Sequence, residues 1–321
     1  QFIPSAALLL AILPIVRELT VPWLFWLVIL AVDVMAVMLA VLTGALLGLL
    51  AVLVFTLLVA GVWLTQSTAQ AVDLSESVVV IGGFALFFFG ASAWVWRTLT
   101  SQGGATESVP GATDRGFGTM PNLPFDVRPV IPALSAVLPF LLLIMVVLKL
   151  QPANPSPVFG LAALLVALLL GVVRRFGTDL LAPVALGCTL VLEFVWHTQH
   201  FTHNRFTPNW LPLAWYAGFS AAFTLFPFVF HRQVAERRVP WATAALALPL
   251  HFTLIYQVCK ENLPAFGYLG LIPAVCALPA FAGLGWLLKK LPADNEGRNA
   301  LLALFGGAAL LFITLIFPIQ F

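Results

Sequence analysis

Apolar runs of about twenty residues, parted by short polar breaks, dominate the chain. A helix that crosses a bilayer needs about 20 apolar residues. The pattern predicts spans over residues 2–16, 21–41, 45–64, 78–96, 130–148, 158–173, 180–196, 210–230, 239–258, 267–287 and 299–317. The first run is short and closes on Arg17-Glu18. Residues 21–64 form one almost unbroken run, too long for a single crossing at about 1.5 Å per residue. A tight turn at Leu42-Thr43-Gly44-Ala45 splits it into two. The expected fold is therefore all-α, a polytopic transmembrane helix bundle of about eleven spans.

Residues 98–128 form the one long polar stretch, rich in Gly, Ser, Thr and Pro. That composition predicts a flexible loop. The expected organisation is a first helical unit over 1–97, a loop over 98–129, a second four-helix unit over 130–232 and a third unit over 233–321. The chain begins at Gln1 and ends on an apolar run at Phe321. It reads as an internal piece of a longer protein, with the first and third units truncated.

Composition agrees with a lipid setting. The chain is 61% hydrophobic and 9% charged, with mean hydropathy +1.04, where soluble domains carry about 25% charged residues. A net charge of +2 gives no sign of a nucleic-acid partner. The expected partner is the lipid bilayer, with the 98–129 loop available to other proteins. Alternating the spans puts 11 of the 15 Lys and Arg residues on one side. By the positive-inside rule that side, with loops 97–129, 174–179, 231–238 and 288–298, is cytoplasmic. Trp23, Trp63, Trp94, Trp96, Trp196, Trp210, Trp241 and Trp286 fall near span ends and read as an interfacial belt. Cys188, Cys259 and Cys276 show no paired spacing, so neither a disulfide framework nor a thiolate metal site is expected.

An internal repeat is suggested by two blocks, 128–201 and 238–321. Each opens on a basic residue and a proline-containing span (Pro132 and Pro139; Pro240 and Pro249). Each continues through a proline-bearing loop to a span closed by two basic residues, Arg174-Arg175 or Lys289-Lys290. The unit would be four spans, which keeps every copy in the same orientation, a parallel repeat. The alternative is that hydrophobic hairpins resemble one another by composition.

Polar residues inside such runs are the candidates for chemistry. Glu193, His197 and His200 are spaced i, i+4, i+7 and share a helix face. They read as an outer-face acid/base cluster or as ordinary interface polarity. No metal or cofactor is expected. Asp33 lies well inside the second span, where a carboxylate costs about 2.5–3.5 kcal/mol on insertion scales unless neutral or paired. It reads either as a functional group facing the bundle interior or as a helix–helix hydrogen bond. His251, mid-span, reads as a neutral imidazole bonded to a backbone carbonyl or as part of a proton path with Asp33. No Walker loop, dinucleotide glycine motif or nucleophile elbow is present.

The run Leu30-Ala31-Val32-Asp33-Val34-Met35-Ala36-Val37 resembles a Leu-x-x-Asp-x-Gly-Val-Leu-type segment. The ending from Ala309 to Phe321 is similar to the start of an alanine-isoleucine-proline-leucine element. Both stretches resemble elements of the bacterial predicted-membrane-protein family called domain of unknown function 2339; the likeness departs at Met35, where that family often has Gly. The resemblance implies a bacterial inner-membrane protein with many consecutive spans, and it carries over no catalytic residues. Three functions follow as expectations: a non-catalytic protein of envelope assembly or scaffolding, a transporter or lipid-handling protein using Asp33 and His251, and an envelope enzyme using Glu193, His197 and His200.

Overall fold

A computed structural model describes residues 23–43, 46–66, 73–103, 130–150, 152–201, 209–235, 237–263, 267–290 and 297–321. Among the described residues every regular element is a helix. They are α1 Trp23–Thr43, α2 Leu46–Gln66, α3 Leu74–Gly103, α4 Val130–Leu150, α5 Ser156–Phe176, α6 Leu181–His200, α7 Leu211–Val229, a single turn α8 His231–Val234, α9 Arg238–Asn262, α10 Leu271–Lys290 and α11 Arg298–Gln320. Over their described residues, nine are long and apolar enough to cross a membrane. This is a multi-pass membrane protein. The expected first span, residues 2–16, lies outside the described residues, as does 104–129 of the expected loop.

Helix ends follow local chemistry. Asp73 stands before α3 and accepts hydrogen bonds from both the backbone N–H and the hydroxyl of Ser75. Those bonds hold its carboxyl below the ordinary 3.8. The helix then continues past Arg97 to Gly103, further than the hydropathy break at residue 97 suggested. Thr98, Leu99 and Thr100 contain no breaker, so the backbone stays helical through them. α5 closes on Gly177 at φ 74°, the left-handed position where glycine has no steric cost, with its N–H bonded to the Val173 carbonyl. The Arg237 guanidinium donates to that same carbonyl at 2.8 Å and lies 3.3 Å from Asp179, pinning the corner between α5 and α6.

The contacts divide the chain into two compact units, Gln1–Leu150 and Gln151–Phe321. In the first, Trp26 of α1 meets the Trp63 ring of α2 edge-on at 5.0 Å, and α4 packs against α2 and α3. The Lys149 ammonium at the end of α4 binds the Leu64 and Thr65 carbonyls at the end of α2. In the second, α9 is the hub, touching α6, α7, α10 and α11. Lipid tails are as apolar as leucine, so close packing and interhelical hydrogen bonds, rather than water exclusion, hold such helices together. Gly283 shows the closeness: a Cβ there would sit 2.4 Å from the Phe305 ring of α11.

Three of the tryptophans expected in an interfacial belt are packed inside instead. Trp63, Trp196 and Trp241 are all but fully buried. The Trp196 indole N–H donates to the Pro152 carbonyl at 2.9 Å, and that of Trp241 to Val234 at 3.1 Å. A free carbonyl beside a helix end satisfies the indole as well as the headgroup region would. Trp23, Trp94 and Trp210 remain exposed, as a belt requires.

Candidate functional site

In the second unit, every buried polar or charged side chain among the described residues lies on one of three helices. Thr189, Glu193 and His197 are on α6, Ser220 and Thr224 on α7, Thr243 and His251 on α9. Tyr216 adds a buried hydroxyl to α7. The spacing is i, i+4, i+8 in each case: 189, 193, 197; 216, 220, 224; and 243, 251 with Ala247 between. One helical row per helix therefore carries the polar groups. Because α6, α7 and α9 pack against one another, these rows form a polar seam inside an apolar bundle.

At the centre of the seam, Nε2 of His251 lies 3.1 Å from Oε2 of Glu193, with both side chains fully buried. The other ring nitrogen, Nδ1, lies 2.6 Å from the carbonyl oxygen of Ala247. A carbonyl only accepts, so Nδ1 carries a proton. The contact between Nε2 and the carboxyl group therefore holds one further proton, borne by either partner. The two atoms are close but off the line of a good hydrogen bond, and Glu193 Oε1 meets no donor. This pair is under-satisfied where satisfaction matters most. Adding or removing a proton leaves a net charge in the apolar interior, at about 2.5–3.5 kcal/mol on insertion scales.

The seam runs on towards the end of α6. His197 Nδ1 and the Tyr216 hydroxyl share a hydrogen bond of 3.2 Å, and the His197 ring stacks on Phe201 at 4.6 Å. Tyr216 is within electrostatic reach of Glu193. Gln257 of α9 is within hydrogen-bonding reach of His197, and Glu261 is within electrostatic reach of it. His200 is half-buried at the helix end, its ring 6.1 Å from that of Trp196. Glu193 is about 10 Å from that end along the helix axis. The polar groups thus step from the buried pair to the membrane boundary.

A scan of protein-family models, a search of curated proteins and a search of solved structures each return no match to this chain. The site therefore stands on its own geometry.

The sequence grouped Glu193 with His197 and His200, and His251 with Asp33. The structure brings Glu193 to His251 and turns His197 to Tyr216. Asp33 belongs to the first unit and has its partner there. Thr56 of α2 donates to Asp33 Oδ1 at 2.8 Å, both residues are fully buried, and Oδ2 has no partner. Among the described residues no three His, Cys, Asp or Glu side chains converge as a metal set. His203, next to the cluster in sequence, lies outside the described residues. Sequence reasoning missed Thr189, Tyr216, Ser220, Thr224 and Thr243. Their signal was present as hydroxyl-bearing residues at four-residue spacing within apolar runs.

Proposed function

We propose that this membrane protein moves a solute by a proton-coupled cycle, with the Glu193–His251 pair as the site of protonation. The observation that carries the reading is that pair: acid and imidazole 3.1 Å apart, fully buried on adjacent spans, and short of hydrogen-bond partners. Intramembrane ionisable residues mark substrate or proton pathways by default, because their burial is costly. An under-satisfied pair is poorly suited to a purely structural role, since well-packed apolar residues would stabilise at least as well. The His197–Tyr216 hydrogen bond and His200 supply a stepped route from the pair to one face. That face carries few Lys and Arg residues, which supports its assignment to the outside. With the family resemblance, the same bias supports a bacterial inner membrane.

In this cycle a proton reaches the pair through His197 and Tyr216. The net positive charge it leaves raises the energy of the resting packing of α6 against α9. A bound substrate or a shifted helix offsets that cost, which links proton to solute. Proteoliposomes with trapped pH-sensitive dye test the reading, together with infrared difference spectra between acid and alkaline buffer. Wild-type protein is expected to show a carboxyl band that is absent in Glu193→Gln and displaced in His251→Gln, with proton uptake lost in both. Unchanged spectra and uptake in both variants refute the proposal and return the protein to a scaffolding role.

A further inference from the structure

Between α5 and α7 the second unit has a groove of about 420 Å³, inside the roughly 300–1,000 Å³ range of small-molecule sites. Its α5 wall carries a row of small residues, Ala163, Ala167 and Gly171, and ends on Arg174. In membranes such a row ordinarily lets two helices close on each other. Here α5 and α7 touch at only a few points, and a Cβ added to Gly171 would meet open space. Ala167 and Gly171 are exposed, as is Val229 on α7, so the groove opens at the side of the bundle. Both helices are candidate spans, and the medium at that opening is hydrocarbon. From Ala163 to Arg174 the groove runs about 16 Å. That is about half of a hydrocarbon core of about 30 Å, the depth of one leaflet.

Arg174 makes the groove more than a gap for bulk lipid tails. Its Nε donates to Gln233 Oε1 at 3.0 Å, and its guanidinium lies 4.4 Å over the ring of Phe230, which lines the same groove. Both partners are neutral. Among the described residues the terminal nitrogens Nη1 and Nη2 meet no acceptor, and the charge meets no acid. Arg237, at the same corner, shows the contrast: it takes both the Val173 carbonyl and Asp179. Neighbouring charges add to that of Arg174. Arg175 is next to it and Arg232 stands two residues beyond Phe230, both exposed. A guanidinium fixed through Nε and one face presents its terminal donors as a fork, which takes a phosphate two oxygens at a time.

We infer that the groove holds one acyl chain of a phospholipid of net negative charge, whose phosphate binds the Arg174 guanidinium. The chain meets an apolar wall over one leaflet's depth, and the phosphate meets its donors where that wall ends. Arg174 is two residues from the end of α5, about 3 Å along the axis. That end lies on the side whose Lys and Arg excess supports a cytoplasmic assignment. Anionic lipids concentrate in that leaflet, and basic pockets between spans are where their headgroups lodge. A zwitterionic headgroup fits less well, because its ammonium would add a positive charge beside Arg175 and Arg232. No residue lining the groove belongs to the polar seam, so the inference goes beyond the proton-coupled reading and does not rest on it.

The test uses the full chain in phosphatidylcholine nanodiscs with a trace of phosphatidylglycerol that carries a diazirine midway along one acyl chain. Labelled peptides are mapped by mass spectrometry. Labelling is expected on the α5 and α7 peptides that hold residues 163–174 and 222–230. Unlabelled phosphatidylglycerol should displace it; inorganic phosphate and added phosphatidylcholine should not. Arg174→Gln should lower labelling about 5- to 10-fold, whereas Arg175→Gln, which removes the same formal charge one position away, should change it less than about 2-fold. Gly171→Leu should abolish it by filling the groove; Ala167→Leu serves should that variant not fold. Glu193→Gln should label as wild type, so a failure of the proton reading leaves this result standing. Equal losses in Arg174→Gln and Arg175→Gln would assign the effect to the general surface potential and overturn the inference. So would labelling spread evenly over lipid-facing residues, unchanged labelling in Gly171→Leu, or displacement by inorganic phosphate. Disulfide-linked dimers formed by Gly171→Cys and not by wild type would give the groove to a second copy of this chain, and overturn it too.

Discussion

Replacing His251 by leucine removes one member of a buried acid–imidazole pair and leaves Glu193 where it was. Glu193 Oε1 already lacks a donor and the nearest cation-forming group is then gone. Removing one partner of a buried pair costs about 3–5 kcal/mol, because the other is left uncompensated. An ordinary interhelical hydrogen bond in a membrane is worth only about 0.6 kcal/mol, with a ceiling near 1.7. The two magnitudes do not overlap, so the measurement decides which kind of contact this is. Glu193→Leu should cost less, about 1–3 kcal/mol, since it strands only a neutral imidazole nitrogen. The double variant Glu193→Leu/His251→Leu should recover most of the loss, as paired apolar replacements do. Reversible unfolding in mixed detergent micelles, followed by tryptophan fluorescence, gives all three values and their coupling energy. A cost for His251→Leu below about 1 kcal/mol, or a double variant no more stable than that single one, would falsify the pairing argument.

Two further outcomes test the rest of the molecule. Thr56→Val removes the only donor to Asp33 among the described residues and is expected to destabilise by about 1–3 kcal/mol; Asp33→Asn, which keeps a polar group there, should cost less in the same assay, and equal costs would remove the polar reading of that contact. Gly283→Ala should destabilise by about 1–3 kcal/mol, because the new methyl group falls on the Phe305 ring; Gly285→Ala, with open space around it, should be neutral or better, and thermal unfolding of the two side by side separates packing from helix propensity.

The spans were legible because lipid imposes a length and a composition that nothing else in the chain imitates. The described ranges of α1 and α2 stop at Thr43 and resume at Leu46, on either side of the expected turn. That hairpin also explains how Asp33 finds Thr56. The two residues stand at nearly equal distances on either side of the turn, and so at one depth. The Glu193–His251 pair was not legible in this way. Spacing along α6 reports which side chains share a face, and it put His197 beside Glu193. It does not report which helix lies opposite, and His251 arrives from a helix two spans further on. The tryptophans failed for a related reason: proximity to a span end fixes depth, whereas packing fixes whether the indole faces lipid or protein.

Pro249 stands two residues before His251 in the middle of α9. It has no N–H to return to the carbonyl one turn earlier, so the helix lacks a rung there. Beside it is a void of about 10 Å³, bounded also by Thr224 and Pro279. A column missing a tie, with slack next to the gap, flexes at that point before it flexes elsewhere. The gap between acid and imidazole is thus set at the most compliant place in the hub helix. Stiffness along α9 is therefore itself a tuning parameter, adjustable at residue 249 without touching either member of the pair.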